Sequence, residues 1–154
     1  MALNTATSMG VINALADGKS YTFPTPYLGL LTVMPDASGN NGAELNYPGY
    51  FRINLTEKGI NGKTFLSEAT TEDGTGDDEG TKIAYVKNED LIYFTDVDDV
   101  EEDYSEQVVG VALYSSKTAT APYLWGELPA DSEVIVRKKS VPMIKLNNLR
   151  LIAK

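Results

Sequence analysis

Short apolar runs separated by polar, turn-forming segments recur along most of the chain, a pattern typical of β-rich proteins. The run Tyr27–Val33 is almost continuously apolar and is bounded by prolines, which predicts a strand buried on both faces. The other runs that predict strands are 50–55, 82–87, 91–94, 108–114, 123–128, 133–137 and 148–153. Strand–helix alternation is absent, so we predict an all-β fold of about eight strands, a jelly-roll-like antiparallel β-sandwich. The whole chain, 1–154, is predicted to be one domain.

One segment near the N-terminus has helical periodicity instead. Residues 5–16 predict a short helix within an arm of residues 1–20, and Asp17-Gly18 supplies its stop signal. The predicted N-cap candidates are Thr5, Thr7 and Ser8. The apolar positions on one face, which we call the apolar helix face, are Met9, Ile12, Leu15 and Ala16. A helix of about three turns is marginal alone, so this face is expected to pack on its own domain or to reach a neighbouring subunit.

The alternation within the strands also predicts the core. The residues expected to be buried are Leu28, Leu30, Val33, Ile53, Ile83, Tyr85, Ile92, Phe94, Val109, Val111, Leu113, Leu124, Val134, Val136, Leu149 and Leu151. Tyr27, Tyr93 and Tyr114 lie in the same strand patterns and are expected in the core as well.

Composition restricts the possible chemistry. The 154 residues contain no Cys and no His, which excludes disulfides, thiol nucleophiles, imidazole bases and the usual zinc sites. We therefore expect a protein that is not an enzyme and has neither cofactor nor metal. The formal net charge of −9 argues against nucleic acid as a partner. No apolar stretch or leader indicates a membrane span or secretion, so we expect a soluble protein made in a cytosol.

Charge is distributed unevenly. Twelve of the 22 acidic residues lie in two segments, 72–79 and 96–106, which we expect to be exposed loops. Their spacing does not match the calcium-binding EF-hand loop. From Arg137 onward the chain carries six basic residues and no acidic one. The basic triplet Arg137, Lys138 and Lys139 is a candidate interface that pairs with acidic loops of a neighbouring copy.

Four aromatic residues lie among prolines, outside regular alternation, and are further interface candidates: Tyr21, Phe23, Tyr47 and Tyr50. Exposed rings of this kind are typical of protein interfaces and of carbohydrate-binding surfaces. The sequence does not distinguish these two uses.

The order of the pieces resembles a known family. Residues 27–35 followed by a Gly/Asn loop, Glu44 and Gly49-Tyr50-Phe51-Arg52 are similar to the "Y-L-G-L-x-T-x-x-P, loop, E, G-Y-x-R" opening of small tailed-phage virion proteins. Residues 88–94, 108–114, 124–128 and 149–151 resemble that family's later strands. Members are usually described as tail-fibre, head-decoration or cement proteins. Unlike the family, residues 131–139 contain no Gly, and both acidic segments are longer.

The resemblance implies a β-sandwich that attaches to a phage particle and carries no catalytic residues. We therefore expect a virion structural protein, foremost a capsid decoration or cement protein that binds the head shell. Its expected partners are the major capsid protein or a tail protein, and copies of itself as a trimer. The alternative is a carbohydrate- or host-surface-binding module of a phage tail that uses exposed side chains such as Tyr47 or Tyr50, with or without a calcium ion bound by the Asp-rich loops.

Overall fold

The computed structural model describes residues 2–76, 79–129, 134–145 and 147–153. The chain forms two compact units. Unit 1 comprises Met1–Asn54 and Phe94–Pro142, and unit 2 comprises Leu55–Tyr93 and Met143–Lys154. The chain passes between the units three times, so neither unit is a continuous segment. The single-domain assignment of the whole chain stays a prediction.

The described residues form one helix and thirteen strands, and all strand pairs are antiparallel. The helix α1 spans Thr5–Ala16. The strands are β1 (Ala2–Leu3), β2 (Tyr27–Val33), β3 (Ala43–Glu44), β4 (Ile53–Asn54), β5 (Thr70–Asp73), β6 (Lys82–Lys87), β7 (Ile92–Tyr93), β8 (Ser105–Val108), β9 (Gly110–Tyr114), β10 (Leu124–Glu127), β11 (Val134–Arg137), β12 (Met143–Ile144) and β13 (Arg150–Ala153). The prediction of an all-β, sandwich-like fold with one short helix is confirmed, while the jelly-roll arrangement stays a prediction.

Unit 1 is built around a six-stranded sheet in the order β1-β10-β9-β2-β3, with β4 also paired to β2. Strands β8 and β11 form a second, two-stranded sheet. The central strand β2 contains Leu28, Leu30 and Leu31, all buried, which confirms the prediction that this apolar run is covered on both faces. Leu31 also packs in a cluster with Ala112 and Trp125.

Helix α1 starts and stops as short-range chemistry dictates. The N-cap is Asn4, whose Oδ1 accepts a hydrogen bond of 2.8 Å from the Thr7 amide, so the predicted caps at Thr5, Thr7 or Ser8 are wrong. Asn4 lies one to four residues before these candidates, and its Nδ2 also donates to the Pro122 carbonyl at 2.9 Å. At the other end Gly18 adopts a positive φ of 66°, which allows the helix to stop where predicted.

Unit 2 contains a three-stranded sheet in the order β13-β6-β5 and the two-stranded pair β7–β12. Strand β5 begins the acidic segment 72–79, which was expected to be a loop throughout. Glu72 of β5 pairs with Ile83 of β6. The backbone hydrogen bonds with β6 therefore hold β5 as a strand, although the polar sequence of β5 does not predict one. Asp77 and Asp78 of segment 72–79 lie outside the described residues.

Most of the predicted core is buried or half-buried, but three residues are exposed. Val33 and Val134 lie at strand ends, and Tyr93 belongs to a strand of two residues, so each leaves a side chain in solvent. The prediction that these three are buried is wrong. An alternation of apolar and polar residues predicts the buried face of a strand correctly only where a neighbouring element covers that face. Among the described residues, no helix has the length and apolarity required to cross a bilayer.

Candidate interaction surfaces

Three residues of the first resembling segment, Glu44, Tyr50 and Arg52, meet in one cluster of unit 1. Arg52 donates from Nε and Nη2 to Glu44 Oε2 at 2.9 and 2.7 Å, and from Nη1 to the carbonyls of Ser116 and Ala119 at 3.0 and 2.8 Å. The side chains of Arg52 and Glu44 are only 11% and 17% exposed. The Arg52 guanidinium lies 3.3 Å from the ring centroid of Tyr114. A largely buried ion pair whose arginine also donates to two backbone carbonyls is a structural contact, which we call the Glu44–Arg52 clamp.

Tyr50 completes this cluster. Its hydroxyl donates to Glu44 Oε1 at 2.8 Å and accepts a hydrogen bond from the Leu30 amide at 2.9 Å. Its ring stacks on Phe94 with a centroid distance of 5.8 Å. Burial, followed by the Glu44 charge, raises the pKa of the Tyr50 hydroxyl far above its ordinary value, and the same two causes raise the pKa of Tyr114 to about 12. Both tyrosines are therefore uncharged structural groups.

Tyr47 is also buried. Its hydroxyl donates to the Thr95 carbonyl at 2.7 Å, and its ring packs edge-on against Tyr50 at 5.4 Å. The expectation that the Tyr47 and Tyr50 rings are exposed is wrong, because the segment between Glu44 and Arg52 folds inward and leaves Tyr47 buried and Tyr50 half-buried. A role of either residue in an interface stays a prediction. The residues next to Tyr47 and Tyr50 in sequence do not indicate that the two rings pack inward, although the "G-Y-x-R" motif contains Tyr50 and Arg52.

The other two aromatic candidates lie at the surface near α1. Phe23 is exposed, Tyr21 is half-buried, and their rings meet edge-on at 4.9 Å. The Tyr21 ring packs so closely on α1 that a Cβ added at Gly10 would lie 2.7 Å from its Cε2. The side of α1 that carries the small residues Thr7 and Gly10 therefore faces the rest of unit 1.

The apolar helix face consequently points outward. Met9, Ile12 and Leu15 are 54%, 60% and 80% exposed. The expectation that this face packs on its own domain is wrong, because the small Thr7 side chain and the lack of a side chain at Gly10 let the helix approach on the opposite side. The alternative, contact with a neighbouring subunit, stays a prediction. The helix contains no charged residue, so the exposed face is both apolar and uncharged.

A second apolar surface lies in unit 2. A groove of about 370 Å³, which we call the Ile60 groove, has the lining residues Lys58, Gly59, Ile60, Phe65, Leu91 and Tyr93. Ile60 is 73% exposed at the tip of a tight loop, in which the Gly62 amide donates to the Gly59 carbonyl at 3.0 Å. A turn at Asn61-Gly62 forms this tip, and Gly62 has a φ of 75°.

Asp90 holds that loop in place. Its buried carboxylate accepts hydrogen bonds from the Asn61 amide at 2.8 Å, from Asn61 Nδ2 at 2.6 Å and from the Leu91 amide at 2.7 Å. Burial raises the pKa of Asp90, but the hydrogen bonds, led by that of Asn61, outweigh it and hold the pKa below its ordinary value. Sequence reasoning missed this residue, because a carboxylate 29 positions from its partner has no local signature.

Asn88, the buried neighbour of Asp90, ties the strands of unit 2 together. Its Nδ2 donates to the carbonyls of Asp90 and Lys145 at 2.9 and 2.8 Å, and its Oδ1 accepts from the Leu149 amide at 2.9 Å. Asn88 is the first residue of the "N-x-x-x-I-x-F" resemblance. Here too a motif residue has a structural role.

The basic triplet lies at the end of β11. Arg137 and Lys139 are exposed, whereas Lys138 Nζ lies 2.8 Å from a carboxylate oxygen of Glu102. This ion pair, followed by the nearby acidic residues, raises the pKa of Lys138. In unit 2, Arg150 pairs with Glu72 in the same way. Part of the predicted pairing between basic strands and acidic segments is therefore made within one chain.

The acidic segment 96–106 lines a further groove in unit 1 of about 530 Å³, together with Asn46, Tyr47 and Pro48. Tyr104 lies in this groove, and burial raises the pKa of its hydroxyl. Within the described part of the chain, no cluster of three or more acidic residues is arranged to hold a metal ion.

Comparison of the sequence with protein-family models and with curated proteins finds no match. The surfaces described above are therefore the observations on which a function is argued.

Proposed function

We propose that this protein is a non-enzymatic structural protein of a tailed-phage virion, foremost a capsid decoration or cement protein that binds the head shell. The observation that carries the proposal is the outward-facing, uncharged apolar helix face of a chain with a net charge of −9. An apolar surface with three large exposed side chains is typical of a protein interaction site. The sequence resemblance supplies the class of partner, the proteins of a phage particle.

The buried clusters support a structural role. Glu44, Tyr50 and Arg52 bond to one another and to backbone groups, so these polar side chains stabilise the scaffold of unit 1. The chain also contains neither His nor Cys. A rigid β-scaffold that presents loops and a helix to a neighbour meets the needs of a protein that coats a shell.

The alternative, a carbohydrate- or host-surface-binding module, has less support. It is expected to use Tyr47 or Tyr50, of which Tyr47 is buried and Tyr50 is half-buried. Phe23 and Tyr93 are exposed, but Phe23 lies in unit 1 and Tyr93 in unit 2. Binding to immobilised bacterial glycans, lost in Phe23→Ala or Tyr93→Ala, would favour this alternative.

The proposal is tested on purified particles from bacteria that produce the phage. Quantitative mass spectrometry of separated heads and tails is expected to find the protein in heads, at a constant ratio to the major capsid protein. The variant Leu15→Asp places a charge on the apolar helix face and is expected to lose particle binding. The matched control Asn13→Asp adds the same charge to an exposed polar position of the same helix and is expected to bind. Absence of the protein from heads would overturn the decoration role.

A further inference from the structure

The chain contains two Asn-Gly pairs, Asn41-Gly42 and Asn61-Gly62. Asparagine is one of the chemically labile residues of proteins. The backbone nitrogen of the next residue attacks the side-chain Cγ, a cyclic succinimide forms and ammonia leaves. Hydrolysis of that ring by water gives aspartate or isoaspartate, so the amide is exchanged for a carboxylate. Glycine in the next position favours the attack, because it has no Cβ to shield the nitrogen and allows the backbone to rotate.

The fold holds Asn61 against this reaction. Its Nδ2 and its backbone amide both donate to the buried carboxylate of Asp90, at 2.6 and 2.8 Å. The attacking nitrogen, that of Gly62, donates its hydrogen to the Gly59 carbonyl at 3.0 Å. Hydrogen bonds therefore fix both reacting groups. Rotation of the Asn61 side chain toward Gly62 would also leave a buried carboxylate short of a donor, which is costly.

Asn41 is held less firmly. Its Nδ2 donates to Asp36 Oδ2 at 2.7 Å, but both residues are exposed, so water replaces that hydrogen bond at little cost. Gly42, which supplies the attacking nitrogen, is exposed as well. The turn nevertheless requires this reactive pair. Asn41 has a positive φ of 60°, which Asn tolerates better than most residues, and a Cβ at Gly42 would lie 2.9 Å from Pro35 Cγ.

We propose that Asn41 is a site of spontaneous deamidation in the folded protein, whereas Asn61 is protected until the chain unfolds. The product carries one more negative charge than the chain as synthesised, whose formal net charge is −9. The new carboxylate lies beside that of Asp36, where an amide donor lay before, so the two like charges repel each other. This inference concerns the chemistry of the isolated chain and does not depend on the proposed function.

The modification acts on the loop 36–41. Asp36 Oδ1 accepts a hydrogen bond of 2.8 Å from the Ser38 amide, so repulsion at Asp36 loosens the loop. Gly39 of this loop packs on the start of α1, since a Cβ added there would lie 3.4 Å from the Cβ of the N-cap residue Asn4. Deamidation is therefore expected to weaken the support of α1 at its first turn.

Peptide mapping by mass spectrometry tests the assignment. The folded protein and the protein unfolded in guanidinium chloride are incubated in mildly alkaline water enriched in heavy oxygen, which labels each new carboxylate. In the folded protein we expect deamidation at Asn41 to be at least several-fold faster than at Asn61, with isoaspartate among the products. In the unfolded protein we expect similar rates at the two positions. Equal rates in the folded protein, or a faster reaction at Asn61, would overturn the proposal.

The variant Asp36→Ala tests the hydrogen bond that restrains Asn41. It removes the acceptor of the Asn41 side-chain amide, so the rate of deamidation at Asn41 is expected to rise several-fold. The rate at Asn61, measured in the same sample, is expected to stay unchanged. An unchanged rate at Asn41, or equal acceleration at both positions, would contradict the selective restraint by Asp36.

The effect on the loop is measured with Asn41→Asp, which reproduces one of the two products. Hydrogen exchange of the Ser38 amide, which donates to Asp36, and of the Thr7 amide, which donates to Asn4, is expected to become several-fold faster. The Leu91 amide in unit 2 serves as the control and is expected to exchange at its original rate. Unaltered exchange at Ser38 and Thr7 would overturn the proposed effect of deamidation on the loop and on α1.

Discussion

Gly29 of β2 lies directly beneath the carboxylate of Glu44, so that a Cβ at position 29 would overlap Oε1 and lie 3.0 Å from the Tyr114 ring. The glycine is required by this close approach. Gly29→Ala is expected to lower the free energy of unfolding by about 1–3 kcal/mol through overpacking. Urea denaturation measures the loss. In the double variant Gly29→Ala/Glu44→Ala the overlap with Glu44 is gone, so the two effects are expected to be non-additive; simple additivity would contradict the contact.

Removal of Arg52 is expected to be more costly than removal of a surface ion-pair partner. Arg52→Met leaves the Glu44 carboxylate buried without its partner, and we expect a loss of about 3–5 kcal/mol in the free energy of unfolding. Lys82→Met breaks the pair of Lys82 with Asp73, whose side chains are largely exposed, and is expected to cost less than about 1 kcal/mol. Equal losses in urea denaturation would contradict the role of Arg52 as a clamp.

Asp90 is expected to make unit 2 sensitive to acid. Its pKa is lowered in the folded state, so its contribution to stability is present above the ordinary value of 3.8 and is lost as the pH falls through the lower folded pKa. Asp90→Asn is expected to lower stability at pH 7 and to flatten its dependence on pH below about 4. Urea midpoints between pH 7 and 3 test this. Asp98→Asn, which removes an exposed charge, serves as control, and a parallel fall in the unmodified protein and Asp90→Asn would contradict the prediction.

Substitutions on the apolar helix face are expected to leave stability nearly unchanged. Ile12→Asp and Leu15→Asp act at exposed positions, so we expect changes within about 0.5 kcal/mol. Leu31→Ala removes a buried side chain from the central strand and is expected to cost about 2–5 kcal/mol. Thermal or urea unfolding compares them. A large loss in either helix variant would show that this face is covered within the monomer.

The two units are expected to unfold together, because the chain passes between them three times and neither is a continuous segment. Fluorescence of Trp125, the only tryptophan, reports on unit 1. Hydrogen exchange of the Tyr85 and Val86 amides, in the ladder between β6 and β13, reports on unit 2. Coincident transitions in denaturant would support one domain over 1–154, and separate midpoints would contradict it.

Local chemistry was sufficient to predict the long elements of this protein. The strand Tyr27–Val33, the strand Lys82–Lys87 and the helix Thr5–Ala16 have the predicted bounds. Each of these three elements has a clear hydrophobic pattern over its whole length. The first strand is a continuous apolar run, the second alternates, and the helix has a helical period that stops at Asp17-Gly18. These signals act between residues a few positions apart, so the sequence by itself determined the class of fold and its principal elements.

Only the tertiary structure decided which surfaces are buried. Two-residue strands such as β3 and β12 exist because a partner strand supplies their hydrogen bonds, and such short segments have no period to detect. The Glu44–Arg52 and Asn61–Asp90 contacts join positions that the chain brings together only on folding. Helix α1 has an apolar side and a small-residue side, and amphipathicity alone favours burial of the first. The close approach of Tyr21 to Gly10 buries the second, because a side without bulky side chains allows the tightest packing.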